Sequence, residues 1–304
     1  MAQAIGASGS TTQSLNIFGQ PLTIFGVPVD RDKIFTNHKG IYQKRVEKRQ
    51  RKLIVKSTFI KFFLHHGERI QCLTTGYSPV SGFERFVTGP AFLFFKRALF
   101  IFTDKRILHV PTRFDRSPRS AVSQIMYEDC ASLNIKGRSL HVRYKNGQQD
   151  IFPFLGRKEK KKIHSLIQAL PAVPKEAGRL KGRVFLCPSC TNVLPSRGHR
   201  CATCNLAFKS GFQAKLRSIL IPGGGYFYNR YPVLAVGIGL AEMGLMLFLT
   251  YQTMHIYQGM PASPNWLITA ALTLILEKLI VTFHAQEQVK DFVPAEKEFV
   301  VRKI

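Results

Sequence analysis

The hydrophobic pattern of this chain changes character twice, and the last change is the strongest. Residues 231–251 (YPVLAVGIGLAEMGLMLFLTY) and 266–283 (WLITAALTLILEKLIVTF) are almost continuously apolar. Each is about as long as a helix needs to cross a hydrocarbon core of roughly 30 Å. The stretch between them carries no Lys or Arg and contains Pro261 and Pro264, which suit a turn between helices. The pattern predicts a two-helix transmembrane hairpin over 231–284. The rival reading is a helical hairpin buried in a soluble domain. Glu242 lies in the middle of the first run, and Glu277 and Lys278 lie in the second. A charge at mid-bilayer costs about 2.5–3.5 kcal/mol on insertion scales. The surrounding Leu, Ile, Val, Met, Ala and Phe offset much of that. Such a Glu242 is expected to face its partner helix or another copy of the hairpin, with Lys278 its nearest candidate partner.

Upstream, over 66–170, the pattern alternates at the period of strands. A strand is predicted at 70–75. Residues 99–110 (LFIFTDKRILHV) read as two apolar strands joined at Thr103-Asp104-Lys105-Arg106. Further strands are predicted at 121–127, 131–135, 140–144 and 150–154. Lys145-Asn146-Gly147 is a hairpin signal, because Asn-Gly accepts the positive φ that tight turns require. Ile163, Leu166, Ile167 and Leu170 share one face of a closing helix.

The order of these features resembles the bacterial pleckstrin-homology-like and GRAM-type domains. The resemblance rests on Gly67-Glu68-Arg69-Ile70, Phe102-Thr103-Asp104-Lys105-Arg106-Ile107, Ser123-Gln124-Ile125, Lys145-Asn146-Gly147 and the closing helix, about a hundred residues in all. It implies a PH-like antiparallel β-sandwich or barrel with a capping helix. It also implies a module that binds phosphoinositides, other lipids or proteins and is not an enzyme. The chain departs from the pattern at 75–95, a long connection ending in GFERFVTGPAFLFF, which is expected to fill the core and not to dip into a bilayer.

Ahead of the strands, residues 1–40 are Gly-, Ser- and Thr-rich at their start and are expected to be disordered. Residues 41–65 contain no Pro or Gly and read as a basic amphipathic helix, with Ile41, Val46, Leu53, Ile54, Phe59, Phe62 and Phe63 on its apolar side. Its cations Lys44, Arg45, Lys48, Arg49, Arg51 and Lys52 are candidate ligands for anionic lipid. The same face could equally pack on the next domain and leave the cations in solvent.

Charge sharpens this picture. The 304 residues hold 44 Lys and Arg against 18 Asp and Glu, a formal net charge of +26. Such a chain seeks polyanions, either nucleic acid or the anionic face of a membrane. With a hairpin present, the membrane requires fewer assumptions, and the basic flank before the hairpin obeys the positive-inside rule. No signal peptide is recognisable at the start. The expected location is a cell inner membrane, multi-pass, with the N-terminal domains and the tail 285–304 cytoplasmic.

The six cysteines fit a reducing compartment. Cys187-Pro-Ser-Cys190 and Cys201-Ala-Thr-Cys204 form a doubled C-x-x-C, read as structural zinc ligands in a ribbon over 184–210. The segment resembles zinc ribbons of the rubredoxin-like kind, although Thr191 stands where Gly is common. A full Cys₄ shell leaves no open position for a substrate. Residues 171–183 read as a linker.

Between ribbon and hairpin, 211–230 is an interfacial segment. Pro222, Gly223, Gly225 and Tyr228 resemble the Pro-Gly-x-Gly-x-x-Tyr motif that precedes the first span of small two-helix membrane families, with Arg230 replacing a usual Gly. Its tyrosines and arginines are expected to face the interface and its headgroups. No nucleophile elbow, HExxH, dinucleotide fingerprint or phosphate loop is present. The expected fold class is therefore an α+β multidomain membrane protein. The expected function is a non-enzymatic, membrane-anchored adaptor that binds lipid headgroups, and a protein partner through its ribbon. The alternatives are a membrane-tethered nucleic-acid-binding protein and a small transporter or membrane-complex assembly subunit.

Overall fold

A computed structural model of the chain describes residues 22–89, 92–113, 115–170, 182–195, 198–259 and 264–295. It is a mixed α+β protein. The N-terminal hairpin β1 (Thr23–Ile24) and β2 (Val27–Pro28) leads into a short helix α1 (Arg31–Ile34) and the basic helix α2 (Lys44–Lys56). Then come β3 (Ile70–Tyr77), α3 (Gly82–Thr88), α4 (Phe92–Phe95), β4 (Arg97–Thr103), β5 (Arg106–Pro111) and β6 (Val122–Met126). The strands β7 (Cys130–Lys136), β8 (Ser139–Tyr144) and β9 (Gln149–Phe152) and the helix α5 (Lys160–Gln168) close the first half. The second half holds β10 (Val184–Leu186), α6 (Gly211–Leu220), α7 (Gly224–Tyr228), α8 (Pro232–Tyr257) and α9 (Pro264–Val289).

Two antiparallel sheets organise the first half. One has the order β10-β6-β5-β4-β3, the other β7-β8-β9. Strand β4 shows why its sequence reads as an unbroken apolar run. Its residues alternate between faces at period two, and both faces are covered. Leu99 and Ile101 join one core with Val27, Ile34, Leu53 and Ile54, whereas Ala98, Phe100 and Phe102 join a second core with Leu140, Val142 and Phe152 of the other sheet. Ile163 of α5 completes that second core.

The first core corrects the expectation for residues 1–40. Residues 1–21 lie outside the described residues, but 22–40 are not disordered. Val27, Val29 and Ile34 are fully or almost fully buried, and Val29 N donates to Leu22 O at 3.0 Å. The short apolar islands of this stretch are the lid of the sheet. Helix α2 packs its apolar side there too. Gln50 is fully buried and makes two hydrogen bonds to the Leu73 main chain, each 2.9 Å. The linker expected at 171–183 falls mostly on residues outside the description.

A second correction concerns the ribbon. It is not a separate unit, because β10 pairs antiparallel with β6 and extends the five-stranded sheet. Nor is the tail free over 292–295. Phe208 bridges Pro294, Lys209 N donates to Val293 O at 2.8 Å, and Ala295 N donates to Ala207 O at 2.9 Å. The chain that leaves the ribbon for the hairpin thus returns to the same edge of the ribbon.

Helices α8 and α9 are each 26 residues and apolar enough to cross a membrane. Only 17% and 11% of their apolar windows are buried inside the protein. A core helix of a soluble protein would have most of such a window covered.

Candidate functional site

The four cysteines converge. Each knuckle turns in the same way. Thr191 N donates to Cys187 O at 2.9 Å, and Asn205 N donates to Cys201 O at 3.0 Å. Thr191 and Asn205 both take positive φ, 61° and 58°. The four Sγ atoms lie within 4.8 Å of one another, with Cys187–Cys204 at 3.5 Å and Cys190–Cys201 at 3.6 Å. No disulfide joins them. A tetrahedral ion with bonds of about 2.3 Å spaces its sulfurs about 3.8 Å apart, so the cluster fits a metal of that kind. Leu194 and Phe208 pack against the knuckles, and Phe292 of the returning tail stacks on Phe185 and Phe208.

The basic helix divides the six cations assigned to it. Arg45, Lys48, Arg49 and Lys52 line a cleft of about 730 Å³ between α2 and the start of α5. Lys44 does not line it, and Arg51 turns aside to pair with Glu47 at 2.7 Å and to cover the Phe35 ring. The opposite wall supplies four cations that periodicity alone did not single out: Arg157, Lys158, Lys161 and Lys162. The cleft therefore gathers eight cationic side chains against one acid, Glu159, which is ion-paired with Arg49. Lys162 is nearly buried and donates to Ile34 O and Thr36 O at 2.8 and 2.9 Å. Burial holds its ammonium below the ordinary lysine range. Lysine spacing on α5 was visible in the sequence, but only the fold brings that helix beside α2.

Between ribbon and hairpin the chain forms an elbow. Gly223 has φ of +65°, and a Cβ there would lie 2.1 Å from Ala235 O. A Cβ on Gly225 would lie 2.0 Å from Ser218 Oγ. These glycines permit α6, α7 and the hairpin to touch through backbone. Gly223 N also donates to Glu242 Oε2 at 3.1 Å. Lys278 Nζ donates to the same oxygen at 2.7 Å and to Ser218 O at 3.0 Å. The structure thus brings together Gly223, Glu242 and Lys278 from three elements. Both carboxylate oxygens of Glu277 are buried with no hydrogen-bond partner among the described residues.

Most of the aromatic and basic residues of the elbow have partners within the protein. Tyr226 hydrogen-bonds His284 Nδ1 at 2.9 Å. Tyr228 Oη accepts from Ser210 N and donates to Gln213 Oε1, both at 3.0 Å. Arg230 donates to Ala295 O at 2.7 Å. Arg119, from the sheet domain, donates to Gln288 Oε1 at 2.6 Å and covers the Tyr231 ring. Phe95 packs on Tyr226, Tyr231 and His284, so the end of the 75–95 connection sits in the core of this junction. The sequence held no signal for these pairings, which join residues as far as 169 positions apart.

Comparison with models of known protein families, with curated proteins and with solved structures finds no match. The function must therefore be argued from the cleft, the cysteine cluster and the two apolar helices themselves.

Proposed function

We propose that the protein is a membrane-anchored, non-enzymatic adaptor whose cleft between α2 and α5 binds the phosphorylated headgroup of an anionic lipid. The observation that carries this reading is the cleft itself: eight cations and one acid line a single concavity. Charge of one sign in a concave, low-dielectric surface focuses field and concentrates anions. The resemblance to PH-like domains is supported by two antiparallel sheets enclosing a shared core that one helix, α5, completes. Anchoring is supported by two exposed apolar helices of spanning length. Two hairpin ends that rejoin the same ribbon edge support an even number of crossings, with the basic domain and the tail together on the cytoplasmic face of a cell inner membrane as the reading has it. The cysteine cluster holds structural Zn²⁺, and its ribbon offers a docking surface to a protein partner. With four thiolates around the ion, no position is left for catalysis.

The test uses the full chain in nanodiscs of zwitterionic lipid, titrated with inositol hexakisphosphate as a soluble polyphosphate probe. Saturable binding is expected, weakened at least tenfold by K158E/K161E. Absence of binding overturns the reading. Tighter binding of duplex DNA, with a steep salt dependence, would replace it by tethering of nucleic acid. Metal analysis of the same sample should return about one zinc per chain.

A further inference from the structure

A second cavity, of about 490 Å³, runs between α6 and α9 and is distinct from the basic cleft. Its walls carry Ile219 of α6 and Leu274, Ile275, Leu279 and Phe283 of α9, with the paired Lys278 on the same α9 wall. Its rim is polar, formed by Lys215 and Gln286. From Gln286 to Ile275 a helix advances about 17 Å. One leaflet of a hydrocarbon core is about 15 Å deep. The groove therefore has about the length of one leaflet, with Lys215 and Gln286 at one end, Ile275 at the other, and between them Lys278, whose ammonium is held by Glu242 and Ser218 O.

Three further observations say what covers it. First, α6 presents Phe212, Leu216 and Leu220 to the outside at helical spacing, with Phe212 73% and Leu220 69% exposed. A short amphipathic helix with that face lies in an interface, and not in water. Second, the two lysines bordering the groove are in different states. Lys278 is held by Glu242 and the Ser218 carbonyl. Lys215 has no ion-pair partner among the described residues. Third, Thr282 is set apart from the other threonines of the hairpin. Thr250, Thr253, Thr269 and Thr273 each donate Oγ1 to the carbonyl four residues earlier, at 2.7–2.9 Å. Thr282, one turn below Gln286 in the groove wall, has a buried hydroxyl with no partner among the described residues. That is the depth at which the glycerol ester oxygens of a phospholipid lie when its phosphate is at the rim.

We infer that the α6–α9 groove is a seat for one anionic glycerophospholipid, with its phosphate on Lys215, its ester region at Thr282 and an acyl chain along Ile219, Ile275 and Leu279. This rests on the membrane reading of α8 and α9. The bound lipid acts as a shim, filling the space between the interfacial helix and the second span.

The full chain is purified in mild detergent, offered an equimolar mixture of phosphatidylglycerol and phosphatidylcholine, and weighed by native mass spectrometry. One retained phosphatidylglycerol per chain is expected. K215E should lower its retention about fivefold relative to wild type, the factor that one lysine–headgroup contact contributes. T282V should lower retention without changing the preference between lipids, and I275W should exclude both lipids. K158E/K161E should leave the adduct in place. Equal retention of both lipids by the wild type, or a preference that survives K215E and disappears in K158E/K161E, overturns the seat while leaving the cleft proposal standing. Extraction of the wild type from membranes by alkaline carbonate overturns the membrane reading and the seat together.

Discussion

Glu68 and Glu242 are both fully buried carboxylates paired with a cation, and they are satisfied in different ways. Glu68 sits in the sheet domain. Arg106 donates to it from Nε at 3.0 Å and from a terminal nitrogen at 2.8 Å, Thr103 Oγ1 donates at 2.7 Å, and His65 N donates at 2.8 Å. Glu242 sits between the long helices. Its Oε2 takes both Lys278 and Gly223 N, while its Oε1 has no hydrogen-bond partner among the described residues. A buried ion pair repays its desolvation only when the remaining lone pairs are also filled. The first pair meets that condition and acts as a fixed post between the turn before β3 and β5. The second does not, and its strength lies in what it joins: the elbow backbone, α8 and α9 at one oxygen.

Breaking the first pair should have the largest effect. Arg106→Met leaves Glu68 buried and without its main donor, and a loss of about 3–5 kcal/mol is expected. Denaturant unfolding of the full chain in detergent, followed by the circular dichroism of the sheet, measures it. A loss below about 1 kcal/mol would mean that Thr103 and His65 suffice.

Acid should act on the same domain through two groups. Burial alone would raise the Glu68 carboxyl, but hydrogen bonds from Arg106 and His65 outweigh it and hold it below the usual range. Its contribution is present above the unfolded pKa, near 4.3, and is lost as pH falls through the lower folded value. His109 is buried between Ser78 and Ser123, at 2.9 and 2.8 Å, and burial pushes its ring down to about 3. The unfolded chain takes up that proton near pH 6.5 while the folded chain refuses it. Stability therefore declines from about pH 6.5 downward, by up to about 1.4 kcal/mol per pH unit. His109→Gln should flatten the limb between pH 6.5 and 5 and leave the Glu68 limb below pH 4.5. An unchanged profile would assign the upper limb elsewhere.

The second pair should give a smaller response. Lys278→Met leaves Glu242 with the Gly223 donor alone, and a loss of roughly 1–3 kcal/mol in the hairpin is expected. Glu242→Gln strands Lys278 more gently, since that side chain is 21% exposed. The double change should recover part of the loss. Additive losses would show that the two side chains act separately. Smallest of all is Thr191→Gly. A β-branched residue at φ of 61° is strained, so glycine there should raise the stability of the metal-loaded cluster against a chelator by about 1 kcal/mol. No gain would mean that the knuckle has relaxed the strain elsewhere.

The sequence was legible wherever one physical rule acts locally. The apolar runs gave α8 and α9, alternation gave β3 through β9, and the doubled C-x-x-C gave the cysteine cluster. It was opaque wherever a side chain's partner is distant. The basic helix read equally well as a lipid-facing or a packed element, because Gln50 pairing with Leu73 leaves no periodic mark. Residues 22–40 looked weak because their apolar islands are short, and only the exposed face of the sheet explains them. Lys158 and Lys161 were not singled out, because they line a cleft only where α2 stands opposite. Tyr226, Tyr228 and Arg230 matched an interfacial pattern by type, yet each is engaged by protein.

The return of residues 292–295 to the ribbon has a consequence for how the molecule is made. Phe292 contributes to the cluster around the knuckles, and Val293 and Ala295 pair with its outer edge. On a growing chain these residues emerge only after both long helices. The ribbon, though translated earlier, stays unfinished until the second helix has turned back to the side of the first. A chain whose second long helix fails to turn back leaves Phe185 and Phe208 without Phe292, an aromatic gap beside the cysteines. The antiparallel arrangement of the two long helices is thereby recorded in the finished surface of the ribbon.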